Sequence, residues 1–433
     1  MRPAQTKTTV LRQIVTLIPG HLVTKLAEKH GVDKQSRGIT PWSHVVCLLF
    51  AQLAHSLSLY DLVDALRIHA SSLVGIRGAK PPSRSGLSYA NRERNAEMAK
   101  DLFWAVLEYL DRQDKNFIPN GPPKRCSRKK GRHYLPQRFT RTIHAIDSTT
   151  IRLVANCMDW AKHRRRKAAA KAHVSLNLNS FLPSMVIVKA AKTHDATEAP
   201  MLCAHVKAGE IVVFDRAYVD FKHLHALDQR GVFWVTRGKR NMAYSVIGEV
   251  KPPKGKILRD VSIQLTTAKS AAVYGDAPLR LVEALVEVDG KEKTMTFITN
   301  NMDWAASSVT DLYKSRWAIE VFFKQLKQTL KLGDFLGHNE TAVRWQVWTA
   351  LLTYVLLRFI AHQSEWTSSF SRVLTCLRGA LWCHWEMYSL LDFCRTAPGS
   401  IPIRAAPDQA YLPGFVLRYG TAPDENQEME EEK

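Results

Sequence analysis

Four residues whose side chains suit the chemistry of phosphates and metal ions follow one another at helical spacing in the second half of the chain. They are Tyr313, Arg316, Glu320 and Lys327, within the segment DLYKSRWAIEVFFKQLKQTLKL. At about 100° per residue, an α-helix places all four within one stripe of about 60°. The neighbouring stripe is apolar, which is typical of a helix that docks on a core. The pattern predicts a helix that presents these groups at the rim of its buried face, although many charged helices are simply solvated.

Two further carboxylates follow apolar runs upstream. Residues 142–146 alternate in hydropathy and predict a strand that stops at Asp147, and residues 211–214 predict a fully apolar strand that ends at Asp215. An aspartate after a short apolar run is often only a turn former or a helix cap. Each aspartate is therefore weak evidence for a functional site by itself. The order of the two aspartates and the helical series along the chain is stronger evidence.

Together, these motifs resemble those of bacterial insertion-sequence transposases in the group named after the fourth insertion sequence. The helical series resembles the family's Tyr-Arg-Glu-Lys signature. The run from Asp215 to Tyr218 resembles its Asp-Arg-Gly-Tyr motif, with Ala217 where glycine is frequent. The resemblance spans residues 142–339. It implies a metal-binding triad of Asp147, Asp215 and Glu320 on a ribonuclease H-like fold.

The implied chemistry is metal-dependent transfer of DNA phosphodiesters. Two divalent ions can activate the nucleophile, neutralise the phosphate and stabilise the leaving oxygen. Carboxylates suit Mg²⁺, for which Mn²⁺ is expected to substitute. Tyr313, Arg316 and Lys327 would hold the DNA phosphates rather than the metal, because arginine offers a fork and lysine a mobile charge. Replacing Arg316 or Lys327 is therefore expected to slow cleavage while leaving metal affinity nearly unchanged.

Four other residues are candidate DNA contacts. Trp234 and Arg237 belong to a predicted β-rich arm over the active site, and Trp317 and Lys324 belong to the helical segment itself. For Trp234 the alternative is a core residue, which is the commoner role of a tryptophan in an apolar strand.

The composition favours a polyanionic partner. Lysine and arginine number 61 against 40 acidic residues in 433, a formal charge of +21, and phosphate contacts with such residues release counterions. Basic runs at residues 124–133 and 162–167 flank Asp147, although basic runs are often only solvated. The longest apolar run, residues 350–357, ends at Arg358 and is too short to span a membrane. No membrane association is expected.

The cysteines and the start of the chain bear on compartment. The seven cysteines lack metal-ligand spacing, and their odd number suits a reducing environment. No signal peptide opens the sequence. We therefore expect a cytoplasmic, nucleoid-associated bacterial protein.

The predicted fold class is α/β: a ribonuclease H-like core, with a mixed five-stranded sheet and helices, interrupted by a β-rich insertion and preceded by an all-helical domain. In the N-terminal domain, helices are predicted over residues 13–29, 43–66 and 96–110, with Arg84, Arg92 and Arg94 on the surface. Such a domain would bind the element's ends, as the resemblance implies, or serve protein interactions. The predicted boundaries are 1–115 for the helical DNA-binding domain, 116–139 for a basic linker, 140–222 and 293–365 for the two parts of the core, 223–292 for the insertion, and 366–433 for a C-terminal region with an acidic disordered tail.

The leading hypothesis is a cut-and-paste transposase. Hydrolysis would free a 3′-hydroxyl at each element end, which would then attack target DNA. The expected partners are double-stranded DNA, as terminal inverted repeats and target, and a second copy of the chain in the synaptic complex. The alternatives are an inert DNA-binding relic and a generic ribonuclease H-like nuclease. The complete set of Tyr, Arg, Glu, Lys and two Asp residues argues against a relic, and the long insertion argues against a plain nuclease.

Overall fold

The structure is a computed structural model of the chain. It describes residues 2–34, 38–118, 139–153, 162–164, 167–190, 195–239, 241–288, 291–332 and 336–395. Most of the predicted linker, part of the second basic run and the predicted acidic tail lie outside these residues.

The first part of the chain is helical, as predicted. Its helices are α1 (Val10–Thr16), α2 (Gly20–Lys29), α3 (Pro41–Ala54), α4 (Leu59–Ile68), α5 (Ala70–Val74), α6 (Arg84–Glu93) and α7 (Glu97–Gln113). The segments 13–29 and 43–66, each predicted as one helix, are each interrupted. At the N-termini of four helices, a side-chain oxygen of the capping residue accepts a hydrogen bond from a backbone N–H group of the first turn. The capping residues are Thr9, Thr40, Ser58 and Ser83. Contrary to expectation, Arg94 is buried and donates to the carbonyl of Ile39.

A mixed sheet forms the centre of the molecule, which confirms the predicted α/β class. Its strands are β1 (Ile143–Leu153), β2 (Lys162–Arg164), β3 (Lys167–Asn177), β4 (Leu182–Ala190), β5 (Ile211–Phe214), β6 (Phe233–Arg237), β7 (Tyr244–Glu249), β8 (Ile257–Leu265), β9 (Leu279–Val288) and β10 (Lys291–Thr299). Among the described residues the order is β2-β3-β1-β5-β6-β10-β9-β8-β7, and β4 also pairs with β3. The strands predicted after Asp215 therefore extend the same sheet.

The parallel strands β1, β5 and β6 align their carboxyl ends. Ile146 pairs in register with Phe214, and Val213 pairs with Val235. The prediction that Asp215 ends its strand is confirmed, because β5 stops at Phe214. The prediction that β1 stops at Asp147 is wrong. β1 continues to Leu153 by pairing with β3 alone, so Asp147 lies at the point where β1 extends beyond β5.

The remaining helices are α8 (Asp195–Leu202), α9 (Phe221–Gln229), α10 (Ala268–Tyr274), α11 (Ala306–Ser315), α12 (Ala318–Lys324), α13 (Glu340–Gln363), α14 (Phe370–Arg378) and α15 (Met387–Arg395). One buried core includes residues of the N-terminal helices, one face of the sheet and the C-terminal helices. The N-terminal segment also pairs with the C-terminal region through a bridge between Gln5 and Trp385. The helices after residue 366 therefore help to complete the core of their own chain.

Among the described residues, no single helix is long and apolar enough to cross a bilayer. The pair α3 and α4, bent by 104°, meets the criteria of length and composition only when the two are taken together.

A fully buried ion pair connects the added strands to the segment before α11. Arg280 of β9 donates to both carboxylate oxygens of Asp260 in β8, at 2.7 Å each. Its third nitrogen donates to the carbonyls of Met302 at 3.0 Å and Trp304 at 2.6 Å. A bidentate pair of this kind holds a defined geometry, and here it positions the entry to the helix that carries Tyr313.

Candidate active site

The site lies where the carboxyl ends of β1 and β5 meet α11 and α12. Ile146 of β1 and Phe214 of β5 pair in register. Asp147 directly follows Ile146 and Asp215 directly follows Phe214, so the two aspartates are neighbours across the sheet. Glu320 approaches from the third residue of α12. The structure thus gathers the three carboxylates predicted from sequence at one edge of the sheet.

The helical segment that carries Glu320 is not one uninterrupted α-helix as predicted. α11 ends at Ser315 and α12 begins at Ala318, and the junction is tightened by i to i+3 hydrogen bonds, such as that from the Glu320 N–H to the Trp317 carbonyl. Residues 325–329 then form a π-helical turn. Such turns often occur at functional sites, and this one carries Lys327, which is half-buried.

Arg316 connects two of the three carboxylates directly. One terminal nitrogen donates to Oδ2 of Asp147 at 2.7 Å, and the other donates to Oε1 of Glu320 at 2.8 Å. The Arg316 side chain is only 11% exposed, against 20% for Asp147 and 34% for Glu320. These charge-assisted bonds are therefore only weakly screened by solvent.

Tyr313 and Arg237 complete the inner surface of the site. The Tyr313 hydroxyl donates to Oδ1 of Asp215 at 3.3 Å. Burial raises the pKa of Tyr313 to about 12, and the positive charges of Arg316 and Arg237 oppose that rise. The phenol is therefore a neutral donor at physiological pH. Arg237 ends β6 on the same edge as Asp215 and is partly exposed, so it remains a candidate DNA contact.

Burial is the largest influence on the pKa values of Asp147 and Glu320. It raises the pKa of Asp147 to about 6, against the opposing effects of Arg316 and of the Ser148 N–H. It also raises the pKa of Glu320, although Arg316 again opposes the shift. For Arg316, burial disfavours the charge, but Tyr313, Asp147 and Glu320 outweigh it and raise its pKa. The guanidinium is thus permanently charged, and it lies between two carboxyl groups, Asp147 and Glu320, whose pKa values burial raises.

The carboxylate oxygens of the site suit a hard divalent cation, which prefers oxygen ligands. Those of Asp147 and Glu320 already converge from separate elements on one positive charge, that of Arg316. Among the residues that the structure describes, however, no group of three His, Cys, Asp or Glu side chains is placed to hold a metal ion. The Arg316 guanidinium instead lies between Asp147 and Glu320. The residues fit a metal in kind, and they could hold one in place of that guanidinium.

The other candidate DNA contacts differ in accessibility. Lys324 is exposed at the end of α12, and Trp317 is half-buried at the junction of the two helices. Trp234 has no exposed surface, lies in the centre of the sheet and donates its indole N–H to Asp228 at 2.8 Å. The prediction that Trp234 lies on an arm over the site is therefore wrong, and in this conformation it is a core residue.

A polar network behind Asp147 was not predicted. Ser148 and Lys171 both donate to Oδ1 of Asp195, at 2.9 Å and 2.7 Å. His173, which pairs in register with Ser148, lies 3.2 Å from the Tyr218 hydroxyl. Burial lowers the pKa of His173 to about 4, so it is neutral here. The alternation of Lys171 and His173 along β3 is the signal that could have revealed this polar face.

Comparisons with known proteins agree with these observations. The profile described as transposase DDE domain matches residues 138–356, and a second, described as a domain of unknown function (DUF4372), matches residues 6–77. A Sinorhizobium fredii protein named as transposase y4zB is 30% identical over 305 residues, which is 68% of this chain and 78% of that protein. A Geobacillus stearothermophilus protein named as the probable transposase for insertion sequence element IS5377 is 27% identical, over 56% of this chain and 62% of its own length.

A comparison with solved structures gives a weaker similarity. The piggyBac transposase in a synaptic complex with hairpin DNA superimposes with a TM-score of 0.45 and 10% identity. The match covers 92% of this chain and 85% of the other. A TM-score this low does not establish a common fold.

We predict that Asp147→Asn stabilises the metal-free protein at neutral pH. A carboxyl whose pKa is raised by folding destabilises the folded state above that pKa and has no such effect below its unfolded value, about 3.9. The gain should therefore be of the order of 1–3 kcal/mol above about pH 6 and should disappear near pH 4. Thermal unfolding in chelator at pH 7.5 and at pH 4 measures it. An equal or lower melting temperature at pH 7.5 would contradict the burial argument.

Proposed function

Because this chain belongs to the transposase DDE domain family, we propose that Asp147, Asp215 and Glu320 are the catalytic carboxylates of an insertion-sequence transposase. The protein is a DNA-cleaving transposase, and cut-and-paste transposition is the proposed course of its reaction. The observation that carries the assignment is that Arg316 bonds to both Asp147 and Glu320 at the carboxyl end of β1, where Asp215, at the end of β5, is the neighbour of Asp147 across the sheet. An inert relic is not favoured, since drift would be expected to damage such a set.

The three carboxylates would hold divalent metal ions, Mg²⁺ by preference and Mn²⁺ as a substitute. When bound, such ions activate the nucleophile and neutralise the phosphate in phosphodiester transfer. The chain's own residues would orient the DNA. Arg316 can place its fork on a phosphate, Tyr313 keeps Asp215 in position by its hydrogen bond, and Lys327 adds a mobile positive charge further along the same segment.

We also propose that the chain belongs to the group with the Tyr-Arg-Glu-Lys signature and that its core is ribonuclease H-like. Support comes from the antiparallel succession of β1, β3 and β4, followed by the parallel strands β5 and β6. Tyr313 and Arg316 of the signature both contact members of the triad. These contacts give the signature a structural reason.

For DNA binding outside the site, we propose the exposed face of α6. Its buried side consists of Leu87, Ala90 and Asn91. The exposed residues of α6 are Arg84, Ser85, Ser88, Tyr89, Arg92 and Glu93, of which Glu93 pairs with Arg92 at 2.7 Å. Arg84 stacks on Tyr60, 3.9 Å from the ring centroid. Arginines, hydroxyls and an aromatic ring on one accessible helix face are suited to phosphate and base contacts.

Changing Asp147, Asp215 or Glu320 to Ala should reduce cleavage of the gene's own flanking DNA in Mg²⁺ or Mn²⁺ by about 10³-fold or more, because the loss falls on the transition state. Binding of the same DNA should remain, since it rests on distributed phosphate contacts. Gel-shift and cleavage assays on the same preparations measure both. Glu249→Gln, which removes an exposed negative charge from β7, is the control. Cleavage retained by any one Ala variant would remove that residue from the site.

The α6 face makes a separate prediction. The double change Arg84→Ala and Arg92→Ala should weaken duplex binding by about tenfold or more and reduce the salt dependence of log K by about 1 per lost phosphate contact. Fluorescence anisotropy across a salt series measures both. Arg112→Ala is the matched control, because Arg112, like Arg92, is exposed and close to a glutamate. An unchanged salt slope in the double variant would show that α6 does not contact phosphates.

Joining two element ends to one target requires two active sites, so we propose a two-subunit complex on DNA and a largely monomeric free protein. The described C-terminal helices pack on their own chain, so the proposal rests on the reaction and not on a free helical face. Light scattering with and without DNA that carries the element's ends measures the mass. A complex with one subunit per end under cleavage conditions would contradict the proposal.

A further inference from the structure

The position of Arg316 poses a conflict between its two contacts and its proposed role. Its terminal nitrogens lie 2.7 Å from Asp147 and 2.8 Å from Glu320. A carboxylate oxygen that accepts a strong hydrogen bond from a guanidinium offers less electron density to a metal ion, and a guanidinium between two carboxylates repels a divalent cation. Arg316 cannot hold both carboxylates and a DNA phosphate with the same two nitrogens. In this conformation it holds the carboxylates.

The site needs a cation whether or not DNA is present. Asp147 is largely buried and Glu320 is half-buried, and nearby like charges raise the cost of ionising both. Without an opposite charge among them, these side chains would be pushed apart or protonated. Arg316 provides that charge from within the chain, and the Tyr313 hydroxyl provides a neutral donor to the third carboxylate, Asp215.

We propose that Arg316 is an internal counter-ion of the DNA-free site, which occupies the place of the metal until a DNA phosphate draws the guanidinium away. Metal binding and DNA binding are then coupled through one side chain. By linkage, each favours the other by the same factor. The proposal rests on the proposed metal-binding role of the triad. It also replaces the expectation from sequence that loss of Arg316 leaves metal affinity unchanged.

The unused donor on Arg316 is consistent with this movement. Its Nε is buried and has no hydrogen-bond partner among the described residues. The side chain is therefore only partly satisfied where it lies, and a buried unpaired donor costs free energy. A position that leaves one donor unsatisfied suits a side chain that must later exchange its partners.

The test is direct binding of Mn²⁺ without DNA, measured by electron paramagnetic resonance of the free ion at pH 7.5. Arg316→Gln removes the charge, and we expect it to bind Mn²⁺ about tenfold or more tightly than the wild type. Arg316→Lys keeps the charge, but one ammonium group cannot bridge both carboxylates, so its affinity should lie between the two. Lys314→Gln is the matched control, since this exposed residue of α11 loses the same charge. Its affinity should equal that of the wild type.

A double variant, Asp147→Asn with Glu320→Gln, removes two carboxylates of the triad, so Mn²⁺ binding that is lost in this variant belongs to the triad. Circular dichroism verifies that every variant is folded. Should Arg316→Gln fail to fold, the comparison of Arg316→Lys with the wild type still decides. Equal affinities of the wild type and the Arg316 variants, at a site that the double variant abolishes, would overturn the counter-ion proposal and leave the triad's metal role intact. If no variant binds Mn²⁺ at such a site, both the metal role and the counter-ion proposal fail.

Discussion

Like charges that converge in a half-buried site must be neutralised, and most features of this active site follow from that constraint. Asp147 and Glu320 reach the carboxyl edge of the sheet from different elements, and burial raises the pKa of both. Arg316 makes their proximity tolerable by bonding to each. In the reaction proposed above, the same arrangement would serve catalysis, because a place that demands positive charge in the free protein would also attract a metal ion in the working complex.

The rest of the fold holds the carboxylates and the helix that carries Arg316 and Tyr313 in position. The parallel register of β1 and β5 makes Asp147 and Asp215 neighbours, and the extension of β1 beyond β5 keeps Asp147 on a strand and not on a mobile turn. On the other side, the buried pair of Arg280 and Asp260 anchors the segment that leads into α11. The strands added after β6 therefore have a structural role at the site, although their residues do not belong to it.

Local patterns in the sequence were sufficient to predict most helices and strands, but not the tertiary contacts between their side chains. The apolar run before Asp215 marked the end of β5, because four consecutive buried residues need a strand between two covered faces. The end of β1 was misplaced because Ser148, Thr149 and Thr150 resemble a turn yet also suit a strand. No glycine or proline marks the junction between α11 and α12, so the helical period could not reveal it. The contacts of Arg316 with Asp147 are tertiary and left no local signal.

The position of Trp234 shows why residue type alone is an uncertain guide to DNA contacts. An aromatic residue beside basic ones suits stacking on bases, but β6 lies between β5 and β10 and its three central residues are buried. Burial there satisfies the indole N–H through Asp228. Arg237, three residues further on, emerges at the edge beside Asp215, where β6 ends. Position along a strand thus decides which residues of a motif are structural and which can reach a ligand, and the carboxyl end of the sheet is where this chain gathers its proposed catalytic carboxylates.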